Sequence, residues 1–219
     1  MKLKLLGFFS LTLLAAFASA SQVNWSAQID NGLGTVDGTN LAIGSLLRIG
    51  TFTNISDANI TLNGMDLGYL DAHFVEFGTA AIGDGFDPAI PAHFAASTTT
   101  NAAAFGLVGA QIFLWAFDTP SWETATQHGI FYASTNSWLF KGDTPPDNST
   151  SIDLTELTDG AGTSLNSLAR ILWGHFGTGI SDASGAPLFN LDLVPEPSTY
   201  GLVITGLAFL VALRSRRRK

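Results

Sequence analysis

Residues 109–117 read GAQIFLWAF. In an extended chain successive side chains point to opposite faces. Ile112, Leu114 and Ala116 then share one face, and Phe113, Trp115 and Phe117 share the other. Both faces are apolar, so this segment has to be a central strand that is well covered. The rest of the fold is arranged around that requirement.

Several other runs have strand length. Val23, Trp25, Ala27 and Ile29 alternate with polar residues, the pattern of a half-buried strand. Residues 46–52 (LLRIGTF), 59–65 (NITLNGM) and 170–176 (RILWGHF) read as strands, with a short one at 152–154. Residues 129–134 and 137–140 flank Thr135-Asn136 and predict a hairpin. Residues 188–193 are a final strand or the start of a linker. Gly, Asn, Asp and Ser turns separate these runs. The pattern predicts a mainly β body, an antiparallel sandwich or barrel-like sheet.

One or two short helices interrupt the β pattern. Leu67, Leu70, Phe74 and Phe77 recur at three and four residues, with Asp66 as N-cap and Gly78 as stop. Residues 121–127 and 164–168 each have room for one helical turn. Residues 83–104 read as a long loop and 143–150 as an exposed turn.

The two ends differ from this body. Lys2 and Lys4 precede an apolar run at 5–16, and Ala18-Ser19-Ala20 puts small residues at both recognised positions of an A-x-A site. This is the order of a secretory signal over residues 1–20, with Ser21 opening the mature chain. It implies the export machinery and signal peptidase as partners. At the other end Pro195-Glu196-Pro197 precedes an apolar run at 200–213, and Arg214, Arg216, Arg217, Arg218 and Lys219 follow. As a helix, 200–213 would reach roughly 21 Å against a hydrocarbon core of about 30 Å. That makes it a marginal transmembrane helix, which Tyr200 and snorkelling Arg214 can extend. The basic tail holds its end in the cytoplasm, giving a single pass, N-terminus out and C-terminus in. The two prolines stop the helix from propagating upstream and display Glu196 on extended backbone.

The proline–glutamate–proline box, short apolar helix and basic tail, in a chain with an export signal, resemble the PEP-CTERM sorting signal. The resemblance covers about residues 194–219. It implies exosortase as a partner, acting near the box at a position the sequence does not fix. It further implies contact with membrane lipid while the precursor is anchored, then delivery to the cell surface or an exopolysaccharide matrix. A plain C-terminal anchor is the alternative. Residues 21–193 more loosely resemble small β-rich passengers carrying the strand pattern of Gly109, Gln111, Ile112, Phe113, Leu114 and Trp115, a resemblance that implies no activity.

Composition narrows the chemistry of the body. There is no cysteine, which excludes disulfides, thiolate zinc sites, iron–sulfur clusters and thiol catalysis. Residues 21–193 hold three basic side chains (Arg48, Lys141, Arg170) against seventeen acids, a formal charge of −14. Such a surface repels nucleic acid. His73, His93, His128 and His175 show no metal spacing, and no G-x-S-x-G is present. Asp84 and Asp87 lack the remainder of a calcium loop and read as turn-formers. No catalytic residue, metal ligand or cofactor loop is nominated. Of the five tryptophans, Trp25, Trp115 and Trp173 fall inside predicted strands. Trp122 follows Pro120 in a connection and is the candidate glycan contact. The reading is a non-enzymatic surface or matrix protein. An exopolysaccharide-binding module and a secreted hydrolase are the rivals.

Overall fold

The computed structural model describes residues 20–27, 30–86, 90–180 and 185–194. The elements are β1 (Ser21–Ala27), β2 (Leu33–Gly34), β3 (Leu46–Phe52), α1 (Asp57–Leu62), α2 (Leu67–Ala72), β4 (Phe74–Ala81) and β5 (Phe94–Thr100), then β6 (Phe113–Phe117), β7 (Gln127–Ala133), β8 (Ser149–Asp153), β9 (Ala169–Trp173), β10 (His175–Ile180), β11 (Pro187–Asn190) and β12 (Asp192–Leu193). Three 3-10 turns lie at Trp122–Thr124, Asn136–Trp138 and Leu154–Leu157. Among the described residues the fold is mainly β with short helices only.

The largest sheet has six strands in the order β12-β7-β6-β3-β4, with β9 also on β7. Because β6 occupies one side of β7, β9 and β12 lie end to end along its other side. Strand β6 is central and buried along its whole length, as its doubly apolar sequence requires. Leu47, Leu114, Ala116 and Phe131 line one face. Arg48, Phe113, Trp115, Phe117, His128 and Ile130 line the other. A three-stranded sheet, β5-β1-β8, buries Val23 and Trp25 in the same core cluster as Leu47 and Leu114. A second three-stranded sheet, β10-β11-β2, adds Phe189 to that cluster.

The six-stranded sheet is antiparallel at every pairing, as expected, but the two three-stranded sheets are mixed, since β1 pairs β8 in parallel and β11 pairs β2 in parallel. Each parallel pair joins segments distant in the chain, so neither is announced by a hairpin.

Several predicted elements change type. Residues 59–65 are not a strand, because Asp57–Leu62 is helical. Ser56 accepts from the Asn59 N–H at 3.3 Å as N-cap, and Asp57 favours the helix start electrostatically. Only Ile60 is buried there; Leu62, its period-two partner, is 80% exposed.

Asp66 caps α2 as expected, accepting from the Tyr69 N–H at 2.8 Å. The helix ends at Ala72, however, and Phe74 and Phe77 belong to β4. Ile49 pairs with Gly78 and Gly50 with Glu76, so Phe77 is the extra residue of a β-bulge. The bulge buries both Phe74 and Phe77 despite their spacing of three. It therefore imitates a helical period.

The Thr135-Asn136 hairpin is absent, since residues 136–138 form a 3-10 turn and Leu139 bridges Gln111. Residues 164–168 hold a bridge and a turn instead of a helical turn. The expected loop at 83–104 contains β5. The strand expected over 170–176 divides at Gly174, whose φ of +102° favours glycine. The 143–150 turn runs into β8, and Asp143 is buried, its two carboxylate oxygens each accepting at 2.8 Å from Ala102 and Ala103 N–H.

Among the described residues no helix is long and apolar enough to cross a membrane. The apolar run 200–213 lies outside them, as do Ile29, Asp87, Ala18, Pro195, Glu196, Pro197, Arg214, Arg216, Arg217, Arg218 and Lys219.

Candidate functional site

The polar groups gather on the face of the six-stranded sheet that carries Trp115. Arg48 points from β3 onto this face and is 7% exposed. Its Nη1 donates to Asp71 of α2 at 2.7 Å, and its Nε donates to Glu76 of β4 at 2.6 Å. The guanidinium also lies over the rings of Phe74 and Trp115, at 4.8 and 5.2 Å from their centroids. A planar, weakly hydrated cation suits that slot better than an ammonium would. The two carboxylates remain partly in water, at 30% and 41% exposure, which limits the desolvation cost of the triad.

His128 sits two positions along the same face and is fully buried. Its Nδ1 lies 2.9 Å from the Trp115 indole nitrogen and its Nε2 lies 2.6 Å from the Gly64 carbonyl oxygen. An indole N–H only donates and a carbonyl only accepts. His128 must therefore carry its proton on Nε2 and accept at Nδ1, which makes it neutral. Burial lowers its pKa to about 4, opposed in part by the Gly64 hydrogen bond. Trp173 stacks on the imidazole, 5.5 Å away and 6° from parallel. Gly64 fits because it has no side chain: a Cβ there would stand 1.8 Å from the Trp173 ring. At the far end Tyr132 donates to Asp57. Burial, reinforced by that hydrogen bond and the Asp57 charge, pushes its phenol up to about 12.

This constellation consumes its own chemistry. Both ring nitrogens of His128 are bonded within the fold, and both carboxylates are committed to Arg48. The hydrogen bonds tie the helical segment 57–72 to the sheet. Among the described residues no group of three or more His, Cys, Asp or Glu could hold a metal.

The other histidines are also engaged. His73 closes α2, with Nδ1 2.8 Å from the Tyr69 carbonyl and its ring against Tyr69. His93 is buried, with Nδ1 2.9 Å from the Ala27 carbonyl. His175 pairs with Asp192 at 2.9 Å on a half-exposed edge. Asp84 accepts from the Ala81 N–H at 2.8 Å, a turn-former's bond.

Comparison with known proteins yields nothing to join these observations to. No family model, curated protein or solved structure matches the chain.

Trp122, the glycan candidate, is half-buried and packed against the core from a 3-10 turn that touches α2. Beside it the Ser121 hydroxyl holds the exposed Glu123 carboxyl below its ordinary range, with a smaller pull from Arg48. Trp25, Trp115 and Trp138 are buried, and Trp173 is half-buried. Sequence reasoning passed over Arg48. The available signal was a single cation inside LLRIGTF: a charge in a buried strand must find partners.

At the predicted export site, Ser21 is fully buried and pairs with Thr100. The Ala20 carbonyl accepts from the Asn148 side chain at 2.9 Å.

Proposed function

We infer that this chain is an exported protein of the PEP-CTERM type, anchored transiently in the inner membrane and then delivered to the cell surface or surrounding matrix. Its body acts by being displayed there, in a structural or interaction role. The order of the two terminal signals in the sequence supports this reading most directly: Lys2 and Lys4, the apolar run 5–16 and Ala18-Ser19-Ala20 at one end, and Pro195-Glu196-Pro197, the apolar run 200–213 and the basic tail at the other. The strand ladder of the described residues opens at Ser21 and closes at Leu193, with Val194 N–H bonding Thr126 O at 2.7 Å. This ladder lies in the stretch that the two terminal signals leave between them. The sheet β5-β1-β8 and the six-stranded sheet would be the two layers of the sandwich, and 200–213 the membrane helix.

The internal commitment of His128, Arg48, Asp71, Glu76 and Asp143 favours display over hydrolysis. The test is cell fractionation with immunoblotting in a host carrying exosortase. Replacing Pro195, Glu196 and Pro197 with alanine should let helix continue upstream and remove the displayed carboxylate. Unprocessed precursor should then accumulate in the inner membrane. Processing and delivery equal to wild type would reduce the C-terminus to an ordinary anchor.

A further inference from the structure

The sheet β5-β1-β8 has one face in the core and one in water. Val23, Trp25 and Ala27 point inward from β1, and Gln22, Asn24 and Ser26 point outward. Residues directly opposite one another share a face, so the register defines a grid. Thr99, Gln22 and Ser149 form one row. Ser97, Asn24 and Ser151 form the next, and Ala95, Ser26 and Asp153 the third. Rows are about 6.7 Å apart and strands about 4.8 Å apart. The pairing runs without a register shift from Ser21 to Ala27 on one side and from Gln22 to Ser26 on the other, so no bulge kinks the grid.

Every side chain in the grid except Ala95 and Asp153 is uncharged and polar. The Asp153 carboxylate is engaged already, accepting from Ser26, from the Thr155 N–H at 2.9 Å and from the Thr155 hydroxyl at 2.8 Å. The amides organise the centre. Gln22 Nε2 donates to Ser97 Oγ at 2.9 Å, and Asn24 Nδ2 donates to Ser151 Oγ at 3.4 Å. Both serines are exposed, and accepting these bonds leaves their hydroxyl hydrogens to donate outward.

We propose that this face docks a neutral polyhydroxylated polymer, a polysaccharide without carboxylate or sulfate groups. The body around it carries −14, so an anionic polymer is repelled. The grid has no Lys or Arg to hold phosphates. It has no aromatic or large aliphatic anchor of the sort protein interfaces use. A neutral polyol can lie on the first two rows without stripping water from a charge, and the Asp153 carboxylate of the third row is already held by Ser26 and Thr155. Each contact is weak, and a repeating polymer gains from touching several rows together. The inference rests on the reading that the body is displayed outside the cell, but its test is independent of sorting.

The full-length chain, purified in detergent, is run in native gels containing a neutral β-glucan, a neutral α-glucan, a neutral galactomannan or polygalacturonate. At least one neutral polymer should retard the protein, and polygalacturonate should not. A Ser97→Glu/Ser151→Glu variant places two carboxylates in the middle row at exposed positions. It should bind at least tenfold more weakly with an unchanged melting temperature, while Trp122→Ala binds as wild type. If that double variant melts early, Ser97→Ala/Ser151→Ala takes its place and should weaken binding in the same direction. Absence of retardation by all three neutral polymers, equal retardation by polygalacturonate, or loss of binding in Trp122→Ala alone would overturn the proposal.

Discussion

Trp115 and His128 fix one another's state: the indole N–H of Trp115 donates to Nδ1 of His128 at 2.9 Å, and this holds the imidazole in the one neutral tautomer its surroundings accept. Protonation would place a second N–H against the indole N–H and a charge in a site sealed by Trp173 and Gly64. The pair joins the central strand to its neighbour and, through the Gly64 carbonyl, to the helical segment.

A pH dependence follows. The unfolded chain binds a proton on His128 with a pKa near 6.5, whereas the folded chain does so only near 4. Between these values the unfolded state holds more protons. The stabilisation is complete above about pH 6.5 and is lost as pH falls towards 4. The loss amounts to about 3 kcal/mol from this residue. Urea unfolding at pH 7.5, 5.5 and 4.5 should show it, and His128→Gln should flatten that segment of the curve.

Arg48 should prove a structural cation. Arg48→Ala leaves Asp71 and Glu76 facing each other without their shared counter-charge, and empties a slot between Phe74 and Trp115. The expected cost is about 3 kcal/mol, at the lower end for a broken buried pair because both acids keep some water. Arg48→Lys should recover only part of it, since an ammonium cannot serve both acids and lie flat on two rings. Combining Arg48→Met with Asp71→Leu and Glu76→Leu should restore most of the loss. Thermal melts of the three variants beside the wild type decide the matter.

Gly64 leaves no room for a side chain between the helical segment and the Trp173 ring. Gly64→Ala drives a methyl into the Trp173 ring. It should cost about 2 kcal/mol by overpacking. The Gly64 carbonyl should also move off His128, so the variant's pH dependence should weaken together with its stability. Gly44→Ala is a poor control, because its φ of +87° adds backbone strain. Gly142→Ala has open space and no positive φ, and should be silent.

Much of the body could be read from period alone. The doubly apolar 112–117 run had to be central, and Phe113–Phe117 is. The alternation from Val23 to Ala27 gave a strand with one wet face. Asp66 announced its helix because a cap is a local device. What failed was long-range or ambiguous in period. Asn59, Ile60, Thr61 and Leu62 alternate like a strand, but the Ser56 cap decides for helix. Phe74 and Phe77 share a spacing of three because a bulge turns both inward, which no local rule distinguishes from a helical face. The parallel pairing of β1 with β8 joins residues more than a hundred positions apart. The same distance hid the polar cluster, since Arg48, Gly64, Asp71, Glu76, Trp115 and His128 come from five separate segments.

A sorted and processed protein differs from a merely anchored one in where its mature chain begins and ends. Intact-mass analysis of the protein recovered from the cell surface should give a species starting at Ser21, ending near residues 195–197 and lacking 200–213. A surface species that keeps residues 5–16, or one that runs unbroken to Lys219, would contradict the PEP-CTERM reading.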